Sequence, residues 1–242
     1  MFSKKINVRY SEMDYKLALK PSALLNYFQD MASENAENLG FGYSYIVEKN
    51  LAWFLLKYRI EFEKYPIGEY ELTVKTEPRG YQKLFAFRDF ELCNGEKTFA
   101  RATSSWALVN LETGKLSLIG DALGNNPKMP SFEKRDTDLS FAKIQMPQNI
   151  SIEKTFEIRY DDIDVNQHVN NCNYIIWALE PLSFEFKSKN HLKTVDIVYK
   201  KEIKYGNTIL SQIEIIDDKH TNHLLKNAET GEDLCILNIE WD

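Results

Sequence analysis

The chain reads Arg159-Tyr160-Asp161-Asp162-Ile163-Asp164-Val165-Asn166-Gln167-His168-Val169-Asn170-Asn171 directly before an apolar helix pattern. A carboxylate, an amide and an imidazole therefore alternate at Asp164, Asn166 and His168. In an extended chain, alternate side chains lie on the same side, so these three are predicted to face together. The following helix would point its unpaired amide N–H groups into the same space. Such an arrangement is suited to polarising a carbonyl group.

This segment has a counterpart near the start of the chain. Residues 8–14 match residues 158–164 at a constant offset (159 − 9 = 150), and in that register Lys16 and Ala18 stand where Asn166 and His168 stand. A second match, between residues 58–62 and 199–203, has an offset of 141 (202 − 61), which pairs Glu61 with Glu202. We predict a duplicated chain in which the first copy has lost most of the polar set.

Each copy shows the same order of element signals. The first helix begins at Pro21-Ser22 and the second after Asn170-Asn171, which are good N-cap residues. Their apolar stripes are Leu24, Leu25, Phe28, Met31 and Ala32 in the first helix, and Tyr174, Ile175, Ala178, Leu179 and Leu182 in the second, where Pro181 leaves the end uncertain. Period-two alternation at 70–75 and 194–200, and a hairpin signal at Asn94-Gly95, predict antiparallel strands after each helix.

These signals predict an α+β chain with two similar units. The Gly- and Pro-containing stretch 120–148 shows little periodicity, so we expect a linker there, between a first unit at 1–119 and a second unit at 149–242.

Composition excludes several other classes of protein. A net charge of −6 argues against a nucleic-acid binder of the usual basic kind, and no apolar run is long enough to span a bilayer. The N-terminus has no secretory signal pattern, so a cytoplasmic location is expected. Three widely spaced cysteines offer neither a disulfide framework nor a metal spacing, and no cofactor or metal is expected.

The segment from Asp164 to Asn171, with Tyr174, Ile175 and Trp177 after it, resembles the catalytic segment of the acyl-acyl carrier protein thioesterases. Residues 199–202 resemble the second catalytic segment of that family, and residues 105–110 with Thr113 resemble a stretch of its first half. The resemblance covers nearly the whole chain. It implies two tandem hotdog folds, each a long helix wrapped by an antiparallel sheet, with the first shaping the acyl pocket and the second carrying the chemistry.

The resemblance also assigns the site. The catalytic Asp, Asn, His and Glu of the family fall on Asp164, Asn166, His168 and Glu202. Plant members commonly have a cysteine after the Glu, where this chain has Ile203, so that cysteine is not expected to be required. The chain begins almost at its first strand, without the extension of the plant enzymes, so we expect it to be more similar to the bacterial members.

The resemblance predicts hydrolysis of acyl-acyl carrier protein to a free fatty acid. Asp164 or Glu202 would be nucleophile or general base, while Asn166 and His168 orient the carboxylate and stabilise the oxyanion. The acyl tail would lie along the apolar interior, with Leu24, Phe28, Trp53 and Phe85 as candidate wall residues that a core role explains equally well. The expected partners are an acidic acyl carrier protein and the fatty acyl substrate, and assembly as a homodimer is left open.

Three alternatives remain at this point. The chain could hydrolyse acyl-coenzyme A, act as a hydratase or dehydratase on a similar fold, or bind acyl chains without catalysis. A Cys172–His168 pair could also form an acyl-enzyme. A buried helix position would instead make that thiol a small core residue.

Overall fold

Sixteen helices and strands make up the chain in the computed structural model, which describes residues 1–242. The first half contains β1 (Phe2–Asn7), α1 (Pro21–Leu39), α2 (Tyr43–Glu48), β2 (Leu51–Phe62), β3 (Glu71–Gln82), β4 (Phe85–Asn94), β5 (Lys97–Asn110), β6 (Lys115–Leu116) and α3 (Ile119–Ala122). The second half contains β7 (Ile152–Glu157), α4 (Asn171–Leu179), α5 (Phe184–Lys189), β8 (Leu192–Tyr199), β9 (Thr208–Asp217), β10 (His220–Asn227) and β11 (Asp233–Trp241).

All strands join one antiparallel sheet, and its order shows the duplication. The first half runs β1-β3-β4-β5-β2 and the second runs β7-β9-β10-β11-β8 from its outer edge inward, so each half has the same topology. The halves meet where β2 pairs with β8, in the register Tyr58↔Ile197 and Arg59↔Asp196. The predicted α+β class, with a helix wrapped by an antiparallel sheet in each tandem hotdog fold, is confirmed.

The two long helices lie inside the curved sheet and contact each other. The predicted stripe of α1 is buried, from Leu24 to Ala32, and the helix ends at Gly40, whose φ of 82° places it in the left-handed region that favours glycine. Of the second stripe, Tyr174, Ile175, Ala178 and Leu182 are buried, but α4 stops at Leu179, so Leu182 lies beyond the helix. α4 has 9 residues and α1 has 19, so the copies differ most in their helices.

Backbone hydrogen bonds correct one register proposed above. Val8 N donates to Tyr70 O, and Ile158 N donates to Asn207 O, so the strands after the helices are offset by 137 (207 − 70). The bonds from Lys64 N to Phe99 O and from Lys201 N to Leu234 O give the same offset (201 − 64). The offset of 141 was wrong by four residues because a short match of alternating residues does not fix strand register. The counterpart of Glu202 is therefore Tyr65, not Glu61.

The stretch 120–148 packs closely on the sheet. Phe132 N donates to Tyr81 O at 2.8 Å, and farther along, Gln145 N donates to Asn238 Oδ1 at 2.7 Å. A side chain at Gly80, where φ is 97°, would meet Pro130 O at 2.4 Å, so glycine is needed for this approach. The stretch therefore runs as a bound strap from the first half to the second.

Among the candidate wall residues, Leu24 and Phe28 are buried between α1 and the sheet. Trp53 is partly buried, and its indole N–H donates to Phe41 O at 3.1 Å. Phe85 is 41% exposed at the start of β4, which contradicts a wall role for it.

Candidate active site

The quoted segment forms a tight loop between a 3-10 turn at Tyr160–Asp162 and α4. Ile163 and Val169 form an isolated bridge, Asp164 N donates to His168 O at 2.8 Å, and Gln167 N donates to Asp164 O at 3.0 Å. Gln167 takes a φ of 64°, which few non-glycine residues adopt. This turn gathers the three polar side chains at the start of the helix.

The carboxylate of Asp164 is held by its own loop. Its Oδ1 accepts the backbone N–H of Asn166 at 2.8 Å and that of His168 at 3.4 Å. Its Oδ2 accepts the side-chain amide of Asn166 at 3.3 Å. Asn166 therefore orients Asp164, whereas His168 reaches Asp164 only through its backbone.

His168 contacts the other carboxylate. Its Nδ1 lies 2.5 Å from Glu202 Oε2, with the two side chains 26% and 41% exposed. Val169 N donates to Ile203 O at 3.1 Å, which fastens the loop beside the segment that follows β8. The structure thus brings all four predicted residues into one open site, as two pairs: Asp164 with Asn166, and His168 with Glu202.

The electrostatic setting distinguishes Glu202. Partial burial raises the pKa of its carboxyl above the ordinary glutamate value; the His168 imidazole opposes this rise and the Asp164 carboxylate adds to it. A carboxylate with a raised pKa is a stronger base once it has lost its proton. Glu202 is therefore a stronger proton acceptor than an ordinary glutamate.

A second layer of residues, which the pattern analysis missed, fixes the loop. Arg159 donates to Asp162 through its backbone N and through Nη2, at 2.8 and 2.7 Å, and Asp162 is buried. The carbonyl of Asp162 accepts Asn170 N at 2.9 Å and Asn173 Nδ2 at 3.1 Å. The recurrence of Arg-x-x-acid at Arg9 and Glu12 was the available signal, because Arg9 N also donates to the Glu12 carboxylate.

The start of α4 offers fewer free N–H groups than predicted. Cys172 N donates to Asn170 Oδ1 at 2.9 Å, and Asn173 N donates to Asn170 O at 2.9 Å. Of the first three amides of the helix, only that of Asn171 has no protein acceptor. The N-cap bonds therefore satisfy two of these three N–H groups and leave that of Asn171 without a protein acceptor.

The first-half copy keeps the loop but not its chemistry. Asp14 Oδ1 accepts Lys16 N at 2.8 Å and Ala18 N at 2.9 Å, and Leu17 repeats the positive φ of Gln167. At the other equivalent positions, Ala18 replaces His168 and Tyr65 replaces Glu202, by the backbone registers described above. Pro21 stands in place of Asn171, so the free N–H group is absent as well.

The two loops also differ in what covers them. The Tyr15 ring stacks on Phe184 of α5 at 5.1 Å, and Lys16 Nζ donates to Ser188 O at 2.9 Å. The residue equivalent to Tyr15 is Val165, which is 89% exposed. α5 thus contacts the first-half loop, although Tyr15 itself is 64% exposed, whereas Val165 in the loop that carries the polar set is almost fully exposed.

Cys172 does not fit a nucleophilic role. Its side chain is buried in α4, burial raises the pKa of its thiol, and Sγ contacts Gln29 Oε1 at 3.8 Å rather than a base. A buried protonated thiol is inert.

The remaining histidines lie away from the site. His191 stacks on Tyr65 and His220 pairs with Asp217, both outside the loop. His223 is buried, with Nδ1 at 2.8 Å from Ala178 O.

Two features bear on other kinds of site. No group of three His, Cys, Asp or Glu side chains comes together in a metal-ligating arrangement. No helix has the length and apolar character needed to cross a membrane.

Family models match both halves of the chain. The model for the acyl-ACP thioesterase N-terminal domain matches residues 1–125, and that for the C-terminal domain matches residues 145–242. The chain belongs to the acyl-ACP thioesterase family. The second match contains the whole four-residue site, and the first contains the first-half copy of its loop.

Curated members of this family align over almost the entire chain. An acyl-[acyl-carrier-protein] hydrolase of Cuphea viscosissima, described as chloroplastic, is 27% identical over 257 residues, which cover 99% of this chain and 62% of the relative. Oleoyl-acyl carrier protein thioesterase 2 of Arabidopsis thaliana is 24% identical over 281 residues, covering 99% of this chain and 76% of the relative. Because the chain spans only 62% of the first relative, the activity of the whole plant protein is a proposal for this chain.

Solved structures of family members share the fold. An acyl-ACP thioesterase from Bacteroides thetaiotaomicron superposes with a TM-score of 0.87 at 23% identity, covering 100% of this chain and 97% of its own. A 12:0-ACP thioesterase from Umbellularia californica gives a TM-score of 0.86 at 21% identity, covering 100% and 96%. At this identity the likeness establishes the tandem fold alone.

Proposed function

We propose that the chain hydrolyses the thioester of an acyl-acyl carrier protein and releases a free fatty acid. In this proposal the second unit, residues 149–242, carries the chemistry, the first unit, residues 1–119, shapes the acyl pocket, and 120–148 connects them. Family membership and the plant relatives named as acyl carrier protein hydrolases support the substrate class. A cytoplasmic location and a homodimer stay predictions.

In the proposed mechanism, the thioester carbonyl lies over the loop between Asp164 and His168. Asp164, held by Asn166, acts as nucleophile or as base toward a water molecule, and Glu202 shares the role of base. An ionised carboxylate only accepts hydrogen bonds, so Glu202 would hold the proton on His168 Nδ1 and leave Nε2 for the substrate. Two neighbouring carboxylates with different environments suit this division of roles.

The negative charge that develops on the carbonyl oxygen needs donors. We assign this role to the Asn166 side chain, to His168 and to the free N–H group of Asn171, at the positive end of the α4 dipole. Removal of one such donor typically lowers the rate about 100- to 1,000-fold.

The observation that carries the proposal is the contrast between the two loops. Asp14 and Asp164 accept the same backbone hydrogen bonds, so the turn itself explains an aspartate at both positions. The turn does not explain Asn166, His168, Glu202 and the free N–H group of Asn171, which are all replaced in the first-half copy. Groups that the fold does not need and that converge in an open site support catalysis there.

The test is hydrolysis of acyl carrier proteins graded by acyl chain length, measured as free thiol and free fatty acid. We expect Asp164→Asn, His168→Ala and Glu202→Ala to lose most of the turnover, and Cys172→Ala to keep it. Asp14→Asn is the matched control, because it changes the same turn contacts in the copy without the polar set. Full activity in Asp164→Asn would reject the mechanism.

The same assay separates the alternative functions. Faster release from coenzyme A esters would assign an acyl-coenzyme A thioesterase, and an enoyl product would assign a hydratase or dehydratase. Protein that binds acyl chains without releasing thiol would be a non-catalytic acyl-binding module.

A further inference from the structure

Three polar residues form a line across the inner face of the sheet in the first half. Tyr58 of β2 pairs with Ser104 of β5, and Ser104 pairs with Arg88 of β4. All three residues are buried, with exposures of 3%, 0% and 6%. Neighbouring strands lie about 4.8 Å apart, so the backbone positions of Tyr58 and Arg88 are roughly 10 Å from each other. We call these residues the polar row.

The polar row lies between apolar rows. On one side the same three strands present Ile60, Ala102 and Phe90, and on the other they present Leu55, Trp106 and Ala86. A polar line in such a place is costly unless its donors and acceptors are satisfied. Ser104 meets this need, since its hydroxyl donates to Arg88 O and accepts the indole N–H of Trp106.

Tyr58 does not meet it, and Arg88 is a buried cation whose hydrogen-bond partners are all neutral. The hydroxyl of Tyr58 is a buried side-chain polar atom without a hydrogen-bond partner. Arg88 donates only through Nη1, to Asn35 Oδ1 at 2.9 Å and to Thr76 Oγ1 at 3.0 Å, and no carboxylate lies within ion-pair distance. Its burial lowers the pKa of the guanidinium to about 10. Arg79, which is equally buried, pairs with both Asp89 and Asp138.

The row begins at the junction of the two halves. Tyr58 is also paired with Ile197 of β8, the strand that leads toward Glu202. The row therefore extends from the β2–β8 junction into the half that we assign to the acyl chain. The Tyr58 hydroxyl and the remaining N–H groups of Arg88 could donate to an oxygen atom that accepts hydrogen bonds.

We propose that Tyr58 and Arg88 bind an oxygen substituent on the acyl chain, so that the preferred substrate is an oxo- or hydroxyacyl thioester rather than a plain alkyl one. This inference rests on the proposed function for the thioester, but the subsite itself is a binding property. An acceptor oxygen takes the Tyr58 hydroxyl proton and one N–H of Arg88, which gives the buried Tyr58 hydroxyl the partner that it lacks.

The experiment measures equilibrium binding by calorimetry, so that it does not depend on turnover. The probes are pantetheine alkyl thioethers of one chain length, which cannot be hydrolysed. One probe has no substituent, others carry an oxo or hydroxy group at graded positions, and one ends in a carboxylate. For the wild-type chain, we expect about tenfold tighter binding of the probe whose oxygen reaches the polar row than of the plain probe. Which probe binds best identifies the oxygen group.

The decisive variant is Tyr58→Phe, which removes only the unpartnered hydroxyl. We expect the preference for the oxygenated probe to fall about 3- to 10-fold, with an unchanged or higher Tm. Tyr65→Phe is the control, because the Tyr65 hydroxyl already donates to Leu19 O at 2.9 Å. Its loss should lower the Tm and leave the preference unchanged.

Equal or weaker binding of every oxygenated probe, or an unchanged preference in Tyr58→Phe, would overturn the proposal. A protein that binds the oxygenated probe tightly yet hydrolyses no thioester would instead refute the proposed function and leave this subsite established.

Discussion

At the scale of single residues, an aspartate that looks catalytic in the sequence has a structural role in both copies of the loop. Asp14 and Asp164 each accept two backbone N–H groups across the same turn. The difference between the loops lies in the residues around the aspartate. Glu202 is the most informative of them, because its position next to His168 joins two segments that are far apart in the sequence.

Replacing Glu202 with Gln should lower kcat by about 100- to 10,000-fold, because the base is lost while the shape is kept. In the wild type, kcat/KM should fall on the acid side with a midpoint above the ordinary glutamate pKa, since burial raises the pKa of Glu202. The pH–rate profile from pH 4 to 8 measures this.

The stability of the two proteins provides the control for this change. A raised folded-state pKa contributes stability that is present at low pH and is lost as pH rises through that pKa. Glu202→Gln cannot lose stability in this way, because its side chain does not titrate. Its Tm at pH 7, measured by thermal unfolding, should therefore be no lower than that of the wild type. A collapsed Tm would mean that the loss of rate reflects unfolding.

The four site residues could be named from the sequence because a short motif and a family resemblance supplied them. The way in which these residues pair with one another could not be predicted from the sequence. Alternation along an extended chain predicted that Asp164, Asn166 and His168 face together, and the family resemblance implied that His168 orients Asp164. The imidazole instead contacts Glu202, beside the tight turn at Gln167. The residues Arg159, Asp162 and Asn173 were missed because their role depends on contacts formed only after the turn closes.

At the scale of elements, the start of α4 matters more than its length. Its N-cap bonds satisfy the N–H groups of Cys172 and Asn173 but not that of Asn171, and α1 has Pro21 at the equivalent position. Proline is well tolerated at the first position of a helix, since that N–H group has no partner inside the helix. Pro21 of the first-half copy therefore suggests a substitution at Asn171 that removes the backbone N–H group and keeps the helix.

Asn171→Pro should lower the hydrolysis rate about 100- to 1,000-fold relative to Asn171→Ala, if the N–H group stabilises the oxyanion. Both variants lose the same side chain, so the comparison isolates the backbone donor. Circular dichroism should show unchanged helix content in each. Equal rates in the two variants would remove Asn171 from the proposed mechanism.

The packing of α4 on β10 is predicted to be sensitive to acid. Burial lowers the pKa of His223 to about 4, and its ring bonds to Ala178 O and to the Thr221 hydroxyl. A histidine with a lowered folded-state pKa contributes stability above the unfolded-state pKa and loses it as pH falls through the folded one. From the model-peptide value of about 6.5 down to 4, the loss should total roughly 3 kcal/mol.

Unfolding in urea between pH 7 and pH 4 measures this loss in the wild type. The variant His223→Gln keeps a hydrogen-bonding side chain that does not titrate, so its unfolding free energy should change less over the same range. A parallel pH dependence in both proteins would assign the acid sensitivity to other groups.

Sequence periodicity predicted the long helices and most strands because their apolar faces are regular, as the buried stripe of α1 shows. It failed on strand register and left the end of α4 uncertain. The hydrogen bonds that fix the offset of 137 are backbone contacts, and no side-chain pattern records them. The bound state of the stretch 120–148 was also missed, because its contacts use irregular backbone beside Gly80.

At the scale of the whole molecule, the β2–β8 junction makes two units into one sheet. Arg59 and Asp196 face each other across it at 2.8 Å, and Asp196 is buried. Burial raises the pKa of Asp196, and the guanidinium of Arg59 opposes that rise. A buried carboxylate deprived of its cation is costly.

Arg59→Met should therefore destabilise the protein by about 3–5 kcal/mol, measured by urea unfolding. The double variant Arg59→Met with Asp196→Leu should recover most of that loss, because no unpaired charge remains. A double variant as unstable as the single one would show that packing, rather than the charge pair, holds the junction.

The continuous sheet also determines how either unit would behave alone. A strand that now pairs on both sides would become a bare ladder of N–H and C=O groups if its twin were cut away. Because β2 and β8 hold equivalent positions in the two halves and pair antiparallel, such a fragment could satisfy that ladder with a second copy of itself. Expressing each half separately would thus be expected to yield dimers of that half. A dimer of the second half would contain two copies of the candidate active-site loop, and a dimer of the first half would contain two copies of the loop that lacks the polar set.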